Sequence, residues 1–252
     1  MAYVYDRSFF DYIDRGARRS AERMLRRGLV AFRPASVLDV GCGRGVWLSA
    51  WLAAGVPHVR GIDGPYVEPD TLEVPADAFV AADLSRPVDL GERFDIVQSL
   101  EVAEHLPPAA ADTFIDTLCR HGDIVMFSAA QPGQGGENHL NEQTVDYWRE
   151  RFAAHGYAAF DPVRPIIRHV SEIEPWYRYN TLIYANADGQ ARMPKEWLPT
   201  RIPGDEAVDP AGDLLWRLRR AVVRIMPRPV VTGIARVRAA ALNARARRAA
   251  QG

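Results

Sequence analysis

Two stretches of this chain carry residue types whose spacing suits chemistry. In Glu101-Val102-Ala103-Glu104-His105, two carboxylates and an imidazole fall at positions i, i+3 and i+4. On a helical turn those positions share a face. Such an oxygen-rich set suits a divalent cation, Mg²⁺ or Mn²⁺ rather than structural zinc. Without a cation, His105 is a candidate general base. The second stretch, VLDVGCGRG at 37–45, sets Gly41, Gly43 and Gly45 behind an apolar run containing Asp39. Glycine permits positive φ and close approach of another molecule. A carboxylate beside such a loop suits a cationic ligand end and repels a pyrophosphate.

These residues need elements to position them. Residues 8–33 read as a helix stopped by Pro34. Apolar runs at 36–41, 59–63, 79–83, 94–100 and 123–130 then read as strands, with helices at 46–55, 107–120 and 142–155 between or after them. Asn141 is the expected N-cap of the 142–155 helix. Two last strands are expected at 157–163 and 181–186. Strands separated by helices predict an α/β fold, a parallel sheet covered on both faces. The glycine loop follows the first strand, Asp63 ends the second and Asp83 the third. Ligands of open α/β sheets sit beyond such strand ends. A carboxylate at the second is placed to accept ribose hydroxyls, and one at the third an adenine amine. The dinucleotide pattern G-x-G-x-x-G needs a glycine at 46, where this chain has Val46.

The ordered set Asp39-Val40-Gly41-Cys42-Gly43-Arg44-Gly45, Asp63, Ala82-Asp83-Leu84 and FDIVQSLEVAEHL resembles the class I S-adenosylmethionine-dependent methyltransferases over roughly residues 35 to 186. The resemblance implies a Rossmann-like seven-stranded sheet, mostly parallel with its last strand antiparallel. It implies S-adenosylmethionine bound by Asp39, Gly41, Gly43, Gly45, Asp63, Asp83, Leu84 and Ser99. Strands four and five are neighbours in that fold, which makes His139 the candidate fourth ligand beside Glu101, Glu104 and His105. E-x-x-E-H with a later histidine is similar to two metal-dependent groups, one modifying the terminal ribose of small RNAs and one methylating catechol-like hydroxyls. The implied catalytic residues are Glu104, His105 and His139, with either histidine the base if no metal binds. Trp176, Tyr177, Tyr179 and Asn141 are the candidate acceptor residues, because aromatic faces and amides bind hydroxyl-rich rings. The loop at 131–141 and EPWYRYN also resemble bacterial sugar O-methyltransferases. The expected reaction is methyl transfer to a hydroxyl oxygen of a saccharide or small hydroxylated metabolite. The alternatives are RNA 2′-O-methylation, metal-free N- or O-methylation, and a non-catalytic cofactor-binding subunit.

Charge narrows the partners. The 252 residues carry a net charge of −1, but it is segregated. Residues 213–252 hold ten arginines against Asp213 alone, a balance of +9, and residues 1–33 balance at +4. Residues 34–212 hold 13 basic and 27 acidic residues, a balance of −14. An acidic body repels phosphate backbones, which disfavours extended nucleic acid. The basic C-terminus suits contact with an anionic membrane or glycolipid surface. A homodimer is a further expectation. Cys42 and Cys119 lie outside metal or redox spacings, the N-terminus carries acids, and no run is long enough to span a bilayer. A cytoplasmic location is therefore expected. The anticipated organisation is an N-terminal helical cap (1–34), a catalytic domain (35–187), a Pro/Gly-rich linker (188–212) and a basic helical extension (213–252).

Overall fold

The computed structural model describes residues 7–29, 31–208 and 211–249. Residues 1–6, part of the N-terminal stretch read above, and residues 209–210 and 250–252, parts of the expected linker and extension, lie outside them. In chain order the regular elements are α1 (Arg7–Arg27), β1 (Ser36–Val40), α2 (Val46–Ala53), β2 (His58–Asp63), β3 (Phe79–Ala81), β4 (Ile96–Leu100), α3 (Ala111–His121), β5 (Ile124–Ser128), α4 (Val145–Ala154), β6 (Ala158–Phe160), α5 (Arg164–Ile167), α6 (Pro175–Asn180), β7 (Leu182–Ala185), α7 (Ala187–Arg192), α8 (Leu214–Arg224) and α9 (Arg228–Ala249).

The seven strands form one sheet in the order β3-β2-β1-β4-β5-β7-β6. β7 runs antiparallel to both β5 and β6, and the other pairings are parallel. The strands are short, nearly all-apolar runs because both faces are covered. Alternate residues enter opposite cores: Val37, Ile96 and Met126 join one, and Leu38, Val97 and Phe127 the other. The first core is closed by α1 and α2. Ala17, Ala21, Met24 and Leu25 form the inward stripe of α1 at helical spacing. The second is closed by α3 and α4 through Phe114, Ile115, Leu118, Trp148 and Phe152. β1 lies between β2 and β4, with Asp39 in register with Gly61 on one side and Gln98 on the other. The connections leave β1 in opposite directions there, so the crevice for a ligand opens at its carboxyl end.

Several local expectations are corrected. Glu101 is not on a helical turn with Glu104 and His105. It has φ 59° at the end of β4, and a short 3₁₀ turn at Ala103–His105 follows. The α4 N-cap is Thr144, whose hydroxyl accepts from the Tyr147 N–H at 3.2 Å. Asn141 is held back because its N–H, like that of Leu140, donates to the Glu104 carbonyl. Residues 188–212 contain α7 and a 3₁₀ segment at Lys195–Thr200, with Trp197 in the first core against Phe32 at 5.4 Å. No helix among the described residues is long and apolar enough to cross a membrane.

Candidate functional site

The glycine loop turns sharply between β1 and α2. Gly41 has φ +88°, and a Cβ there would lie 2.3 Å from Val102. That close approach belongs to the chain itself: Val102 packs on the bare loop and couples it to the segment after β4. Asp39 at the base of the loop is buried, and burial above all pushes its carboxyl up to about 7. The Gln98 side chain opposes that shift and the Asp63 charge adds to it. Asp63 accepts from the Gly43 N–H and Gly64 N–H, each at 2.6 Å, and from the Tyr66 hydroxyl at 2.5 Å. Burial raises its pKa despite these donors. Asp83 is exposed at the rim, and the hydroxyl and N–H of Ser85 hold its carboxyl low. Phe10 of α1 roofs this part, 6.3 Å from the Tyr66 ring, with the Arg44 guanidinium 5.1 Å from its own centre.

Beyond β4, Glu101 is locked. Its carboxylate accepts from the Gln134 and Asn180 amides, and Asn180 also bonds Gln131 and Gln134. The positive φ of Glu101 is shared by Asn138, also at the site, and by no other non-glycine described residue. Backbone held in this region costs roughly 1–3 kcal/mol and persists where surrounding structure enforces it. Glu104, His105 and His139 converge, with one ligand atom from each lying within 4.8 Å of the others. Glu101 stands outside this trio. Both Glu104 carboxylate oxygens are buried without a hydrogen-bond partner. Burial pushes its pKa well up, and the neighbouring Glu101 adds to the shift. Burial likewise holds the His105 imidazole down, to about 3, with His139 adding to the effect. The two rings meet edge to face at 4.9 Å. Nδ1 of His139 bonds Glu142 at 2.8 Å, which leaves Nε2 facing the site. Only a glycine fits over that atom: a Cβ on Gly136 would be 2.1 Å from Nε2.

One continuous cavity of about 1550 Å³ connects both halves. Single-ligand pockets run to roughly 1,000 Å³, so two ligands can be held side by side. Asp39, Gly41, Gly43, Asp63, Asp83 and Leu84 line it, as do Glu101, Glu104, His105 and His139. The lining also includes Tyr12 from α1, Trp176 and Tyr177 from α6, and, from α8 and α9, Trp216, Val223 and Ile234 together with Arg219, Arg236 and Arg238. Four candidate residues do not reach it. Gly45 caps α2 against Val74, and Ser99 is buried within the sheet with its hydroxyl unpartnered. Tyr179 is turned away, its hydroxyl donating to Asp213 at 3.1 Å. Asn141 is buried behind Glu104 and accepts from Gln143. Phe10, Tyr66, Gln134 and the α8–α9 walls were missed in the sequence, where nothing local ties them to the loop.

The site fits a nucleoside with a cationic end. A bare-backbone turn, a buried carboxylate at the end of β2 and a second carboxyl beside the loop are the donors and acceptors such a ligand needs. The trio fits a divalent cation, because a buried carboxylate without partners faces two imidazoles. Residues 10–170 match the family described as methyltransferase domain. Two curated relatives, both named ubiquinone biosynthesis O-methyltransferase, come from Neisseria meningitidis. The serogroup C protein is 32% identical over 122 residues, covering 45% of this chain and 51% of its own, and the serogroup A protein 33% identical over 113 residues, covering 41% and 48%. The chain thus spans about half the length of the curated relatives it matches. An O-methyltransferase family protein from Burkholderia thailandensis shares the fold at 14% identity and a TM-score of 0.50, over 71% of this chain and 59% of that one. This chain therefore belongs to the methyltransferase-domain family.

Proposed function

We propose that this protein transfers a methyl group to a hydroxyl oxygen of a small acceptor with a bulky apolar body, assisted by a divalent cation. One observation carries the reading. Glu104 is buried and unpartnered, faces His105 and His139, and lines the same cavity as the glycine loop and the aromatic residues of α6 and α8. The name shared by the two curated relatives also supports transfer to oxygen.

Bound S-adenosylmethionine supplies a methyl carbon on a sulfonium, displaced in line as the sulfur leaves neutral. What remains is to present an oxygen lone pair and take its proton. Glu142 orients His139 so that Nε2 offers its one lone pair to the cavity. That lone pair serves as a ligand when the cation is bound, with the acidified hydroxyl proton then passing to solvent, and as a general base only without it. Burial keeps His105 neutral, so it too can donate a lone pair. Glu104, His105 and His139 would hold the cation, which lowers the pKa of a hydroxyl bound to it. With Glu101 tied to amides, the trio offers one oxygen and two nitrogens. Imidazole-rich sets favour transition ions, so Mn²⁺ fits better than Mg²⁺. Apolar walls and a fixed floor align the acceptor, and alignment can supply about 7–11 kcal/mol of the barrier.

Of the two acceptor classes, the cavity favours the small hydroxylated metabolite over the saccharide. Asn141 and Gln131 are absent from its lining, Gln131 being spent on Asn180, and of the loop's polar side chains that do line it Gln134 is tied to Glu101 and Glu137 to Arg236. The test is transfer of labelled methyl to matched panels of alkyl-substituted phenols and of saccharides, with chelator and with Mn²⁺ restored. Phenol methylation should fall on chelation and return with Mn²⁺. Glu104→Gln and His139→Ala should each lose roughly 10²-fold or more in turnover, with cofactor affinity by calorimetry nearly unchanged. Methylation of saccharides alone, or turnover indifferent to chelator and to both variants, would reject the proposal. Cofactor binding without turnover on any acceptor would point to a binding subunit.

A further inference from the structure

The helical pair α8–α9 has its amphipathicity turned outward. On α8, Leu214, Leu215, Leu218, Val222 and Ile225 fall on one face at helical spacing and are 54% to 83% exposed. A surface helix of a globular protein normally buries such a stripe. The opposite face is engaged instead. Trp216 is buried against the Tyr179 ring at 5.8 Å, and Val223 packs over Gly135. Arg219 donates to the Gln134 carbonyl at 2.7 Å and Arg220 to the Pro132 carbonyl at 3.1 Å, so the helix is clamped in this orientation. Exposed arginines flank the apolar stripe at 217, 224 and 228, within a segment of balance +9. On α9, Val230 and Val237 are exposed as well.

We propose that the outer face of α8 docks this protein on an anionic lipid surface, its leucines entering the headgroup boundary and its arginines meeting lipid phosphates. The charge pattern selects this occupant. A two-fold contact between copies through this face would set two +9 segments against each other, and like charges juxtaposed at an interface are unfavourable. A nucleic acid would meet the arginines but leave the leucine stripe in water. An exposed apolar face with arginine flanks is the surface of an interfacial helix, bound by buried apolar area and attraction to anionic lipids together. The inner face of α8 walls the reaction cavity with Trp216, Arg219 and Val223, so docking would bring an amphiphilic acceptor to the cavity rim. The docking is independent of the acceptor assignment and is tested without turnover.

The test is sedimentation of the full chain with phosphatidylcholine vesicles, with and without phosphatidylglycerol. Binding should require phosphatidylglycerol and weaken as salt rises. Leu215→Glu/Leu218→Glu should reduce the partition coefficient about tenfold or more, while circular dichroism and cofactor affinity stay as in the parent. Arg217→Gln/Arg224→Gln should weaken binding severalfold with the apolar stripe intact. Several outcomes overturn the proposal. They are no vesicle binding by the parent chain, binding unchanged in the leucine variant, a dimer in sedimentation equilibrium that the leucine variant dissociates without any lipid binding, or binding to an RNA oligonucleotide in place of vesicles.

Discussion

Asp39 shows how one residue links sequence, burial and pH. Its place before the glycine loop is plain in the sequence, but its protonation depends on tertiary burial, which raises its pKa from 3.8 to about 7. The empty site therefore holds a neutral carboxyl below about pH 7. A cationic ligand beside it favours the ionised form, so binding there releases a proton. Affinity for S-adenosylmethionine should rise with pH toward 7 and level off above it. The folding contribution has the opposite sign. The unfolded chain loses this proton first, so the empty protein loses stability as pH rises from about 3.8 toward 7. Calorimetry near pH 6 in two buffers of different ionisation heat should detect proton release that Asp39→Asn abolishes. Comparison with that variant cancels titration of the ligand itself. Equal proton release in both proteins would exclude Asp39 as the source. Glu101 is equally visible in the sequence, but its backbone conformation is not. The i, i+3, i+4 spacing assumes a helical turn, whereas the strand end forces positive φ and hands its carboxylate to the amides of Gln134 and Asn180.

At the scale of elements, the sheet was legible because its strands are compact apolar runs, β1, β2 and β4 closed by a glycine or an acid, and parallel strands need no local partner signal. The start of α4 was not, since Asn141 and Thr144 are both good caps and only the Glu104 carbonyl, distant in sequence, decides between them. The same holds for the roof of the site. Residues 131–141 are pinned by Arg219 and Arg220 of α8 and by the Arg236–Glu137 pair of α9 at 3.0 Å, contacts that leave no periodicity to read. If these arginines hold the loop, Arg219→Ala/Arg220→Ala should raise amide hydrogen exchange in 131–141 severalfold and leave the central strands unchanged. The acceptor KM should rise more than cofactor affinity falls. Exchange in the loop equal to that of the parent would show that Glu142, which accepts from the N–H groups of Gly133 and Gly135, fixes it unaided.

At the scale of the molecule, the net charge of −1 conceals an acidic body roofed by a basic helical pair. The segregation was readable from composition, but the seat of the basic segment was not, because nothing in an Ala/Arg-rich run says which surface it covers. Neither hydrophobic core contains a residue beyond 208. The pair is thus an addition that covers the cavity without supporting the sheet, held through α1, the Tyr179–Trp216 contact and the loop carbonyls. Ending the chain after residue 212 should therefore leave a folded protein. Thermal unfolding should remain cooperative, with a midpoint lowered by only a few degrees, on the order of 1–2 kcal/mol for a chain of this size. Affinity for S-adenosylmethionine should stay within severalfold of the parent, because Asp39, Asp63, Asp83 and the glycine loop all precede the cut. Acceptor methylation should be lost, since Trp216, Val223 and Ile234 leave the cavity wall with the deleted segment. A truncated chain that no longer unfolds cooperatively would show that the pair belongs to the core, and one that keeps full turnover would show that the acceptor never touches it.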